Sequence, residues 1–196
     1  MDGFRYFMAV LMAVSVPSAV LYWFAIHPFV GFWRRLGTKL SFTMLTLGFV
    51  GCIYACWLIR ATLVGRDLGT NWWLFVPGLL LYLAAARMSI AVRRHLKLRT
   101  LVGLPEIAMD GGAGKLLNEG IYGRIRHPRY AAFLLGSAGV ALIVNYSGLY
   151  VITAVSFPAL HLIAVIEERE LHERFGAAYA EYAAAVPRLI PRFRGG

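Results

Sequence analysis

Hydrophobic positions along this chain come in long blocks; they neither alternate nor recur along one helical face. The stretches 6–26, 40–59 and 72–86, the last continuing to 90, are each close to the roughly 20 apolar residues that an α-helix needs to cross a bilayer. Two further blocks, 130–144 and 148–166, are separated only by Asn145-Tyr146-Ser147-Gly148, so they predict a tight helical hairpin, with the shorter arm partly buried in protein. The pattern predicts an all-α integral membrane protein of about five transmembrane helices. It forms one membrane domain, with three N-terminal spans in 1–99 and a hairpin half in 100–196.

Composition agrees, with 59% hydrophobic residues, 15% charged residues and a mean hydropathy of +0.63, values foreign to a soluble domain. The first block is longer than a signal-peptide core and lacks a clear cleavage pattern, so it reads as a retained span. A net charge of +10 would suit a nucleic-acid binder, but its placement argues for no nucleic acid. Sixteen Lys and Arg fall in the first loop, the third loop and the tail, against Arg5, Arg60 and Arg66 on the other side. By the positive-inside rule the third loop and C-terminus are expected in the cytoplasm and the N-terminus outside. Cys52 and Cys56 stand one helical turn apart inside a span and read as packing residues, so no metal site is expected.

Ionisable groups are costly in a membrane, so their positions direct attention to chemistry. The loop from Arg93 to Arg129 is long for such a chain and retains apolar residues, so it is expected to fold over the helix ends and line a site. Within it, Asp110-Gly111-Gly112-Ala113-Gly114 reads as a flexible turn, since no strand precedes it. The stretch Asn118-Glu119-Gly120-Ile121-Tyr122-Gly123-Arg124-Ile125-Arg126-His127-Pro128 is more constrained: Gly120 and Gly123 allow close backbone approach, and Pro128 suits a helix start. Arg124, Arg126 and Arg129 serve as headgroup anchors or as an anion site. Glu167 and Glu168 follow the last apolar block directly and need a cationic partner. Glu170 and Arg174 have the spacing of a solvated i,i+4 pair, as do Glu168 and His172. Arg87 either snorkels or faces a cavity, and His161 is expected to bond another helix.

The segments KLLNEGIYGRIRHPRY and EERELHERFGAAYAEYAAAVPRLIPRF together resemble the C-terminal half of the isoprenylcysteine carboxyl methyltransferase family, within the broader group of membrane methyltransferases that includes phospholipid N-methyltransferases. That resemblance implies S-adenosylmethionine (SAM) as cofactor, S-adenosylhomocysteine as its product, and a lipid-like acceptor entering from the bilayer. It implies a cytoplasmic cofactor pocket formed by the third loop, the last two spans and a C-terminal helix. Leu116, Leu117, Gly120, Tyr122, Arg126, His127, Pro128 and Tyr130 would shape it, with Glu167 and Glu168 binding the cofactor. Arg126, His127 and Arg87 are the candidate catalytic residues.

The chemistry of SAM suits these residues, because a carboxylate can pair with its ammonium while Arg126 or His127 answers its carboxylate. Ala131-Ala132 stand where members often carry glycine, and 1–99 holds no matching motif. The acceptor therefore stays open between an isoprenylcysteine carboxylate, a phospholipid amine and a small thiol. Two other readings remain: an NADPH-dependent sterol or steroid reductase, which shares an RHPxY element, and a non-enzymatic membrane protein.

Overall fold

A computed structural model of the chain describes residues 2–95 and 116–191. Most of the third loop, including the glycine-rich turn at 110–114, lies outside the described residues. Helix α1 spans Asp2–Ile26 and passes through a 3-10 turn, His27–Phe29, into the short α2, Val30–Leu36. Then come α3 (Thr38–Leu58), α4 (Arg60–Val64) and α5 (Trp72–His95). After a 3-10 turn at Gly120–Gly123, the chain continues as α6 (Pro128–Val144), α7 (Ser147–Phe175) and α8 (Ala177–Ala185). Extended pairing among the described residues is limited to one isolated bridge between Asp67 and Tyr146.

Among the described residues, four helical stretches are long and apolar enough to cross a membrane: Asp2–Leu36, Thr38–Leu58, Trp72–Arg94 and Ser147–Phe175. The block at 130–144 becomes α6, which at 17 residues is shorter than a full span. As the hairpin reading anticipates, α6 and α7 are joined by a tight turn, with Asn145 in the left-handed conformation (φ 54°).

The centre of the bundle is α1, packed against α3, α4, α6 and α7. Helix α5 lies along α6, and small residues set how closely: a Cβ on Gly139 would stand 2.7 Å from the Gly78 carbonyl, and one on Gly78 would stand 2.8 Å from that of Gly139. The outer faces carry large apolar side chains such as Leu47, Val50, Trp73 and Val151, the arrangement expected where lipid and not water surrounds the helices.

Polar contacts gather at the two ends of the bundle. One end holds Arg5, the 65–69 segment and the α6–α7 turn. The other holds the α1–α2 connection, residues 116–127, the end of α7 and the C-terminal arm.

Candidate active site

The second of these ends is built around Glu168, buried near the end of α7. Its Oε1 accepts from Arg188 Nε at 2.9 Å and lies 3.0 Å from His127 Nε2 and 3.2 Å from Arg126 Nη1. Its Oε2 accepts from Arg188 Nη2 at 2.7 Å, making the arginine bidentate. Glu167, one residue earlier, accepts from the Tyr130 hydroxyl at 2.7 Å and stands 3.5 Å from His127 Nδ1. Both nitrogens of His127 thus face carboxylates, which suits an imidazolium, the only form with two donors. Burial opposes that charge, but the contacts with Glu167 and Glu168 prevail and raise the His127 pKa above its ordinary value.

Local chain geometry explains why these groups meet. Pro128 opens α6 at its first turn and places His127 at the N-cap, where its side chain is free of any capping bond and turns toward α7. The C-terminal arm is tied to the same place by two backbone bonds, Arg126 N–H to Pro187 C=O at 2.9 Å and His127 N–H to Arg188 C=O at 3.0 Å. Proline at 187 favours the extended backbone that this pairing requires. Helix α8 contributes Tyr182, whose hydroxyl donates to the Tyr122 carbonyl at 2.7 Å. Burial pushes the Tyr182 phenol up to about 12 and raises Tyr122 and Tyr179 likewise, so these rings stay neutral.

Of the residues predicted from sequence, the structure brings together Arg126, His127, Tyr130, Glu167 and Glu168, with Pro128 and Tyr122 beside them. Leu116 packs against the α8 tyrosines Tyr179 and Tyr182. Leu117 is half-buried, and Gly120 is exposed with φ 61°. Arg87 is not among the cluster: it stands exposed on α5.

Three pairings differ from expectation: Glu168, held by Arg188, His127 and Arg126, does not pair with His172, whose ring lies edge-on to Tyr179. Glu170 does not pair with Arg174 on a solvated face. It binds Arg34 of α2 at 2.7 Å, because the α1–α2 connection folds against α7. Nor does His161 bond another transmembrane helix; its ring lies 3.3 Å from Arg188 of the C-terminal arm, which also reaches Glu168 on the same face of α7. Arg188 itself was missed. The available signal was the buried carboxylate's need for a partner, together with an arginine set in a proline-flanked arm.

With this geometry in place, the comparison with known proteins is decisive for family. A family described as phospholipid methyltransferase matches residues 73–178. The chain belongs to that family. It is also 35% identical over 78 residues to Protein-S-isoprenylcysteine O-methyltransferase B of Arabidopsis thaliana, covering 39% of this chain. The match spans only 40% of that relative's length. No solved structure matches the chain. The matched range 73–178 contains Arg126, His127, Glu167 and Glu168, the core of the cluster.

Proposed function

We propose that this chain is an integral membrane, SAM-dependent methyltransferase whose acceptor is lipid-like and carries an anionic group, an isoprenylcysteine carboxylate being the leading case. The observation carrying this reading is the Glu167–Glu168 pair meshed with Arg126, His127 and Arg188 in a member of the phospholipid methyltransferase family. The third loop and the C-terminus face the cytoplasm in this reading and the N-terminus faces outward, with the basic end of the bundle on the cytoplasmic side.

The donor set fits the amino-acid part of SAM. An ammonium and a carboxylate arriving together can exchange into existing carboxylate–cation pairs without adding net charge to a buried place. Buried Arg126 Nε has no hydrogen-bond partner among the described residues, a donor left for such a ligand. Glu167 or Glu168 would hold the ammonium, and Arg126, His127 or Arg188 the carboxylate. When bound, SAM supplies a methyl carbon already activated by its sulfonium, so placement of the acceptor contributes most of the rate.

The three cations Arg126, His127 and Arg188 outnumber the two carboxylates, which favours an acceptor bearing negative charge. A carboxylate acceptor is ionised at neutral pH and needs no base. The second reading, a phospholipid amine, is favoured by the matched family's own description. It would require proton removal, and His127 is engaged as a cation between two carboxylates and does not serve.

The test is calorimetric titration of the detergent-purified chain with SAM, S-adenosylhomocysteine and NADPH, beside the Glu167→Ala/Glu168→Ala double variant. Binding of S-adenosylhomocysteine that the double variant loses is the expected result. Binding of NADPH alone would instead indicate a reductase. Methyl transfer to a prenylated thioether carboxylate, compared with phosphatidylethanolamine vesicles, then separates the acceptors.

A further inference from the structure

The N-terminal half, which carries no recognisable motif, supplies a wall of this site. At the end of α1, Trp23 and His27 are stacked with ring centroids 5.4 Å apart and planes inclined by 21°. The Arg129 guanidinium lies 3.8 Å from the Trp23 ring centroid and 5.4 Å from that of Tyr130. Tyr130 in turn stacks on His127, at 5.4 Å and 7°, and donates to Glu167 at 2.7 Å. Five side chains from two distant parts of the sequence therefore form a continuous series: His27, Trp23, Arg129, Tyr130, His127.

His27 is almost wholly buried, and neither ring nitrogen has a hydrogen-bond partner among the described residues. Its nearest charge is Glu170, 3.8 Å from Nδ1, beyond hydrogen-bond length and already engaged by Arg34. A buried imidazole kept without hydrogen bonds is held by its faces, which is how a layer in a stack is held.

We propose that Trp23 is a positioning residue of the active site. Backed by His27, its indole face holds the Arg129 guanidinium, and Arg129 in turn sets the Tyr130 ring and, through the Tyr130 hydroxyl, the Glu167 carboxylate. A guanidinium over an indole is the strongest form of cation–π contact, and it strengthens away from water. The proposal rests on the cofactor reading given above, in which Glu167 serves the cofactor. It adds that α1 is part of the catalytic unit and not only a lipid anchor.

The test is a cycle on the full chain in detergent, reading S-adenosylhomocysteine affinity and melting temperature for Trp23→Leu, Arg129→Met and the pair, with Trp23→Phe as the conservative variant. Trp23→Leu should weaken binding about tenfold and Trp23→Phe by no more than about threefold. The pair should bind no worse than Arg129→Met alone, since the indole acts through the guanidinium. His27→Phe, which keeps a ring and removes both nitrogens, should retain affinity, whereas His27→Ala should lose it.

Losses that multiply in the pair, a Trp23→Leu variant that binds as the wild type does, or a Phe variant as weak as Leu would overturn the proposal. Loss of affinity in His27→Phe would overturn the role of His27 as a layer. If Leu at 23 prevents folding, Met, of similar volume and apolarity, takes its place. A wild type that binds no S-adenosylhomocysteine refutes the cofactor reading instead; the same cycle in melting temperature then decides whether Trp23 acts through Arg129.

Discussion

Each end of the bundle buries an arginine against a carboxylate, and the two arrangements differ in how completely they are satisfied. At one end, Arg5 donates to the Val144 carbonyl at 2.8 and 3.2 Å and to Asp67 at 2.6 Å, with Tyr146 beneath its guanidinium at 5.3 Å. Asn145 closes the same corner by donating to the Gly69 carbonyl and accepting from Tyr150. Arg5 there answers both a carboxylate and the last carbonyl of α6, which otherwise lacks a helical partner. At the other end, two adjacent carboxylates sit among three cations, and the Arg126 Nε has no partner among the described residues. A closed set of partners serves stability, while a set with excess charge and an idle donor is arranged for something that binds. On that basis we read Arg5–Asp67 as a clasp and propose the Glu168 cluster as a receptor.

The largest expected effect separates the two. Glu168→Gln removes the charge on which Arg126, His127 and Arg188 converge, and S-adenosylhomocysteine affinity should fall by about 100-fold or more, measured calorimetrically. Arg5→Met should leave that affinity within about threefold and instead lower unfolding stability by roughly 2 kcal/mol, because the buried Val144 carbonyl loses its donor while Asp67 keeps only the Gly69 N–H. Equal effects of both substitutions on binding and melting would erase the distinction.

The ends should also fail at opposite extremes of pH. The pKa of His127 is raised in the fold, so its contribution is fully present below the ordinary histidine value of about 6.5 and is lost as pH rises through the raised value. For Asp67 the pKa is lowered, first by the Gly69 N–H at 2.8 Å and further by Arg5, against the cost of burial. Its contribution is present above the ordinary carboxylate range and is lost as pH falls through the lowered value. Melting temperature should thus decline on the alkaline side in a way that His127→Gln abolishes, and on the acid side in a way that Asp67→Asn abolishes. A His127→Gln variant that keeps the alkaline decline would remove the imidazolium from the account.

Much of this contrast was legible in the sequence at one end and hidden at the other. Arg126, His127, Glu167 and Glu168 stand out because charge beside an apolar block is costly, and a cost marks a place worth examining. The clasp left little trace: Arg5 reads as an ordinary flanking cation, and Asp67 lies 62 residues from it, beyond α2, α3 and α4. Arg34, Trp23 and His27 were hidden for a related reason. The roles of Arg34 and His27 depend on the α1–α2 connection folding back on α7, and that of Trp23 on α1 packing beside Arg129 of α6; no local pattern encodes a contact between Arg34 and Glu170, 136 residues apart. The block lengths anticipated the helices, the short α6 included; what hydropathy does not report is how closely α5 lies along it, through Gly78 and Gly139.

The smallest effect concerns Arg87, a candidate catalytic residue by sequence that sits exposed on α5 and apart from both ends' clusters. Exposed charges away from a network contribute little, so Arg87→Ala should change melting by less than about 0.5 kcal/mol and leave S-adenosylhomocysteine affinity unchanged. Its effect on the acceptor is the informative part. If Arg87 guides an anionic headgroup toward the cluster, the acceptor KM rises while kcat holds, since a contact made equally in the ground and transition states contributes only to binding. If kcat and KM are both unchanged, Arg87 is a headgroup anchor for the protein itself, and recognition of the acceptor's charge falls to the cations that already surround Glu167 and Glu168.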